Sequence, residues 1–368
     1  MTAHAAGGTE ADVVVLGAGL AGVAIAHELA SRGRRVVLVG TPDDALAPSL
    51  GHVLVGPGIP YRDVASRLGR DQARQVWEGQ RENGERLRLF VKALRDGCDY
   101  RRAGGFLLAG DREEGRRLAD SEDMLREDGF PGEFLDHYML EARFDVTGFT
   151  AAYWAADDAE LDAARLRVAL LGAAAAEGAT AWPSCREVRL EVDDGFAVVE
   201  TPDGRVRAPW AVLAAEASLV GGAGQLARWV RPVTLPGLTL PTPPGAVLPS
   251  PARTADGAFA WQALGGGLRI TGHAPTPGEP AHAGLRAMAD RLARAPGSEV
   301  EWEATAGASA DGLPVIGLVP GRPLAVALGL GTLAGSYAFV AARWLAEGIA
   351  SGRDPTPAPL RPDRFAPV

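Results

Sequence analysis

Cysteine is nearly absent: 368 residues hold only Cys98 and Cys185, in unrelated segments. No CxxC or Cys/His spacing occurs, which argues against a thiolate metal site, and isolated thiols fit a reducing, cytoplasmic setting. An excess of positive charge is also missing. The formal net charge is -9 and the pI about 5.3, with arginines scattered among acids as on solvated helix faces. A nucleic-acid partner, which needs a basic face, is not expected. The opening MTAHAAGGTEAD lacks a basic region followed by an apolar run, so no secretory leader is expected. One uncharged stretch, PLAVALGLGTLAGSYAFVAA at 323–342, has the length of a membrane span. Gly329, Gly331 and Gly335 interrupt it, together with Thr332 and Ser336. A buried strand, a glycine turn and a core-facing helix explain it better than a membrane does.

What is present starts with DVVVLGAGLAGVAIAHELASRGRRVVLVGTPDD at 12–44. An apolar run meets Gly17, Gly19 and Gly22, a helical segment follows, and a second apolar run ends the unit. In this strand–turn–helix–strand pattern the first glycine permits a sharp turn. The second lets the backbone approach a pyrophosphate, and the third lets helix pack on strand. The helix N-terminus offers N–H groups and a positive dipole end to phosphate. The alternative is that the glycines only keep a tight turn. The acid that normally closes the second strand and holds the ribose hydroxyls is replaced by Gly40.

With 47% hydrophobic residues, the chain can bury one large core or two intertwined domains. Amphipathic helical sequence covers about 63–95, with a strand at 103–110, a helix over 112–128 and an Ala/Leu helix over 161–179 ending at Gly178. Strands separated by turns fill the stretch to about residue 215, and prolines punctuate 231–251, read as an irregular connection. A hairpin follows around Gly265–Gly267. The pattern predicts an α/β dinucleotide fold joined to an antiparallel second domain.

The opening unit, the block at 161–215 and the segment from Asp311 through the glycine turn to about Gly352 together resemble the glycine oxidase/D-amino-acid oxidase family of flavoproteins. The flavour is that of the glycine-oxidase-like and tRNA-modifying branch, which ends in residues like Pro362-Asp363-Arg364-Phe365. The best motif is Asp311-Gly312-Leu313-Pro314 followed by the Gly329–Gly335 turn. The resemblance implies a Rossmann-like FAD-binding domain from 1–80, 146–222 and 303–368, and an antiparallel α+β substrate domain from 81–145 and 223–302. It implies non-covalent FAD near Gly17, Gly19, Gly22, Ser49, Gly51, Gly329, Gly331 and Thr332, and oxidation of a carbon–nitrogen bond.

Four positions depart from the family pattern: Gly40; Glu216, where a glycine normally lies beside the cofactor; and Ala306 and Leu333, where arginines bind a substrate carboxylate. Arginine provides a bidentate fork for a buried carboxylate, so either the substrate lacks one or another arginine binds it. Arg269 is the candidate, against an exposed strand arginine. His52 is a candidate flavin-facing residue or a plain loop histidine, and Trp261 and Tyr337 line a pocket or serve the core. Two readings stand. One is an FAD-dependent oxidoreductase for a small-molecule or peptide-derived amine. The other is a pseudo-enzyme that has lost FAD and binds a peptide, small molecule or partner protein. A nicotinamide-dependent dehydrogenase fits only the opening unit.

Overall fold

The computed structural model describes residues 9–40, 50–182, 188–193, 195–202, 204–214, 229–242, 248–272, 282–293 and 299–365. The chain forms two compact units, 1–46 with 163–233 and 305–368, and 47–162 with 234–304. Residues 47–80 and 146–162, expected in the dinucleotide domain, thus group with the second unit.

The first unit is built on a six-stranded sheet in the order Val315–Leu318, Leu324–Leu328, Trp210–Leu213, Val13–Leu16, Val36–Val39 and Thr180–Trp182. Five strands are parallel, and only Val315–Leu318 runs against its neighbour. Such sheets are buried on both faces, which is why their strands read as unbroken apolar runs. Val14, Leu16, Val37, Val39, Leu213 and Val326 meet the core residues of a four-stranded sheet, among them Ala197, Val199 and Val206. The opening helix Leu20–Ser31 packs on Ala163–Ala176 and on Ala334–Ser351. The uncharged stretch at 323–342 is therefore a buried strand, a turn and a helix, and no described helix is long and apolar enough to cross a membrane.

The second unit carries most of an eight-stranded sheet. Its pairs are antiparallel where the register is described, apart from Gly105–Ala109 beside Ala252–Thr254, which is parallel. Leu140 and the helix Ala283–Ala293, through Leu285, Met288 and Leu292, close an apolar core with Leu238, Trp261 and Ile270. Two elements differ from expectation. The helical stretch is two helices, Tyr61–Leu68 and Arg70–Ala93, because Gly69 takes φ +86 between them. The proline-punctuated segment contains a twelve-residue strand, Val230–Pro241. Proline's fixed φ suits extended backbone, and what it lacks is a donor, not an acceptor: the Pro236 carbonyl accepts the Thr271 hydroxyl at 3.0 Å.

Candidate functional site

In the first unit, the opening strand delivers the chain to Gly17 at φ +111, whose N–H donates to the Val39 carbonyl at 2.7 Å. Gly19 caps the helix without a side-chain bond, leaving its first N–H groups open to an anion. A Cβ at Gly22 would stand 1.8 Å from the Gly17 carbonyl oxygen, so helix and turn are in contact through bare backbone. The closing turn follows Leu324–Leu328, with Gly329 at φ +68 and Gly331 at φ +45, and leads through Thr332 into Ala334–Ser351. Both turns leave the carboxyl ends of parallel strands of one sheet, separated by the single strand Trp210–Leu213. That edge is where open parallel sheets bind ligands.

The same edge explains the missing acid. Gly40 adopts φ +154, and a Cβ there would lie 2.7 Å from the Ala18 nitrogen and 3.3 Å from the Gly17 carbonyl carbon. Backbone fills the space from which a ribose-binding side chain would grow. The buried Arg167 donates from Nε to the Ala18 carbonyl at 2.6 Å, bracing the turn. Ala306 and Leu333, the positions where the resemblance leads one to expect arginine, are buried, and Gly331 lies close to Ala306, so both are apolar surroundings of the closing turn. Tyr337 is fully buried, its hydroxyl has no hydrogen-bond partner among the described residues, and burial pushes its pKa up. The residues fit the pyrophosphate of a dinucleotide and provide no side-chain acceptor at position 40. Ser49, Glu216 and Cys185, like Asp43 and Asp44, lie outside the described residues.

In the second unit, Gly51, His52 and Trp261 come together. A Cβ on Gly51 would meet the Leu161 carbonyl oxygen at 1.9 Å, which fixes this glycine as a backbone crossing. His52 is fully buried, its Nε2 2.9 Å from the Trp261 carbonyl oxygen. Burial and the Arg253 charge lower its pKa to about 3, so the imidazole is neutral. Trp261 donates to the Pro249 carbonyl at 2.9 Å and stacks near Phe149 within the core. Arg269, half-buried, has its guanidinium 5.7 Å from the Trp302 ring centre. Burial lowers its pKa, and Asp162 opposes this.

Sequence reasoning missed a cavity of about 50 Å³ in this unit, walled by Leu54, Ile59, Tyr61, Trp77, Leu107 and Tyr153 and reached by Asp158 and Arg253. Its one signal in the sequence is Gly56-Pro57-Gly58, a pair of glycines outside any strand or helix period. Asp158 accepts the Val55 N–H at 2.7 Å, yet burial pushes its carboxyl well above the usual range.

The comparisons agree with this architecture. Residues 12–348 match the DAO family, described as FAD dependent oxidoreductase, and the chain belongs to that family. Glycine oxidase from Geobacillus kaustophilus is similar in structure, with a TM-score of 0.77 and 22% identity over 97% of this chain and 99% of that one. L-amino acid deaminase from Proteus vulgaris, crystallised with its specific insertion sequence deleted, gives a TM-score of 0.78 at 18% identity over 98% and 96%. Iminodiacetate oxidase from Chelativorans sp. BNC1 gives 0.72 at 22% over 96% and 98%. At these identities the likeness establishes the fold. No curated protein matches the sequence significantly.

Proposed function

We propose that the protein is an FAD-dependent oxidoreductase that oxidises the carbon–nitrogen bond of a small-molecule or peptide-derived amine, in a cytoplasmic setting. The observation that carries this reading is the pair of glycine turns on one carboxyl edge of the parallel sheet. Gly17, Gly19 and Gly22 would hold the pyrophosphate, and Gly329, Gly331 and Thr332 would line the ring end; Ser49 and Gly51 are the further candidates. The first unit is the FAD domain and the second the substrate domain. Bound FAD supplies the two-electron acceptor that such an oxidation requires. The residues of the chain bind and orient, and Ala306 and Leu333 keep the positions of the lost arginines apolar. Arg269 remains a candidate anchor, while the packing of His52, Trp261 and Tyr337 supports structural roles.

FAD is held non-covalently and weakly. Cys98 is buried, and Gly40 removes a charge-assisted hydrogen bond worth about 1.5–3 kcal/mol, a loss of roughly tenfold to a few hundredfold in affinity. The test is anaerobic flavin bleaching over a panel of amines, with glycine, sarcosine and D-alanine included. Some amine lacking an α-carboxylate is expected to bleach the flavin, and those three are expected to turn over poorly. Efficient oxidation of any of the three would defeat the claim about the carboxylate. The packing of Gly40 against Ala18 favours a second reading, a pseudo-oxidase without flavin that binds a peptide, small molecule or partner protein. Absence of FAD binding at millimolar concentration, in the wild type and in Glu216→Gly, would select it.

A further inference from the structure

The loop over the second unit's cavity is fixed at three points. Gln80, fully buried, donates to the Gly56 carbonyl at 3.1 Å and accepts the Gly56 N–H at 3.0 Å, and Val55 is held by Asp158. At φ +118, a Cβ on Gly56 would touch the Trp77 indole at 2.8 Å, so the loop lies directly on that ring. Tyr61, Phe106 and Tyr153 extend the aromatic wall. Two hydroxyls of the lining are already engaged. Tyr61 donates to Asp128 at 2.6 Å, and Ser121 donates to the Arg117 carbonyl at 2.6 Å and accepts the Arg62 N–H at 3.1 Å. The Tyr153 hydroxyl lies over Gly132, where a Cβ would stand 2.1 Å from it. Pre-formed apolar pockets with a few placed polar groups are the usual form of a small-molecule site.

Asp158 is the acid of this wall. It is 6% exposed, and its two oxygens differ. Oδ1 accepts the Val55 N–H at 2.7 Å, whereas Oδ2 has no hydrogen-bond partner among the described residues. Oδ2 lies on the bare backbone of Gly105, another wall residue, where a Cβ would stand 2.4 Å from it. Burial raises the pKa of this carboxyl well above the usual range; the Val55 bond opposes the shift and the Asp157 charge adds to it. Arg253, which meets the same loop at Gly58, is not among the groups that shift it. A buried carboxyl with a spare oxygen lacks a counter-charge, and a ligand cation supplies one. Aromatic walls favour the same cation, because ring faces attract positive charge. At roughly 10–15 Å³ per water, the space of about 50 Å³ admits about four waters, or a ligand of about four non-hydrogen atoms.

We infer that this cavity binds a small primary alkylammonium ion, with the ammonium on Oδ2 of Asp158 and the hydrocarbon against the aromatic walls. Asp158 then carries its negative charge, and its proton passes to solvent. All the lining residues belong to the second unit, so occupancy needs no flavin and is independent of the oxidation proposed above.

The probe is n-propylammonium chloride, against 1-propanol as its neutral isostere, titrated calorimetrically into the full-length protein at neutral pH and constant ionic strength. Wild type is expected to bind the ammonium about tenfold tighter than the alcohol, or more. Asp158→Asn keeps an oxygen for the Val55 N–H and should abolish that preference. Leu125→Trp, which fills the cavity and leaves Asp158 in place, should weaken the ammonium by about tenfold or more. Circular dichroism reports whether each variant folds. If neither does, a crystal structure of wild type with n-propylammonium decides by showing the ion on Asp158 or elsewhere. Equal binding of ammonium and alcohol, no ammonium binding below about 50 mM, a folded variant with wild-type affinity, or an ion seated away from Asp158 would overturn the proposal. Flavin bleaching by an amine, with n-propylammonium unaffected by Asp158→Asn, would overturn the site and keep the oxidoreductase. Ammonium binding lost in Asp158→Asn, with no amine oxidised, would keep the site and remove the oxidoreductase.

Discussion

A glutamate at position 40 would accept ribose hydroxyls in a regular dinucleotide fold, and restoring it looks like the direct way to tighten FAD. The backbone forbids it here. With φ +154 and the Ala18 nitrogen 2.7 Å from the Cβ position, any side chain must displace the glycine turn itself. Gly40→Glu is expected to cost about 1–3 kcal/mol, as strained positions do, and not to improve FAD affinity; denaturant unfolding and FAD titration check both. His52 offers a second residue-scale prediction. Its folded pKa is about 3 against the ordinary value near 6.5, through burial first and the Arg253 charge second. The unfolded chain takes up a proton on acidification before the folded one does, so this contribution is complete above about pH 6.5. It is lost as pH falls towards 3, at about 1.4 kcal/mol per pH unit. Comparing unfolding free energies of wild type and His52→Gln between pH 7 and 4 should show a flatter acid limb in the variant.

Elements were legible wherever one periodicity dominated. The opening strand–turn–helix and the strand and helix after Asp311 were visible because apolar runs and glycine punctuation reinforce each other there. The strand at Val230–Pro241 was not visible, because proline frequency carries no information about which carbonyls find donors. The same strand holds Gly237, over which the Trp302 indole lies: a Cβ at 237 would sit 2.1 Å from its ring. Trp302 donates to the Thr239 hydroxyl at 3.1 Å and stands beneath Arg269. Gly237→Val should expel the indole and destabilise the protein by about 3 kcal/mol or more, by overpacking together with the lost aromatic contact. Lower thermal stability and a red-shifted tryptophan emission would report it. The cavity residues escaped the sequence for a related reason: Asp158, Trp77 and Arg253 are far apart in the chain, and only folding brings them to one wall.

At the scale of the molecule, two motifs recognised separately prove to be partners. Arg364 of the closing Pro-Asp-Arg-Phe grips Asp311 with two bonds, Nε to Oδ2 at 2.8 Å and Nη2 to Oδ1 at 3.0 Å, and also bonds the Leu313 carbonyl. Burial would raise the Asp311 pKa, but this guanidinium overrides it and holds the carboxyl below the usual range. The tail is thus fastened to the turn that enters Val315–Leu318, whose first residue pairs with Leu328 at the end of the strand before the closing glycine turn. Whatever occupies that edge should be coupled to the stability of the whole first unit. A ligand bound only by the folded state adds about 2.7 kcal/mol at one hundred times its dissociation constant. On the proposed reading, in which Gly17, Gly19 and Gly22 hold a pyrophosphate and Gly40 offers no acceptor, extensively dialysed protein should unfold at the temperature of the flavin-free form. Added FAD should raise that temperature progressively up to millimolar concentration, without the early plateau of stoichiometric binding. Gly22→Ala should remove the rise, because its Cβ forces helix and turn apart. Protein that keeps stoichiometric FAD through dialysis would show that another group holds the ribose. An unfolding temperature that 1 mM FAD leaves unmoved would show that the cradle no longer serves a flavin.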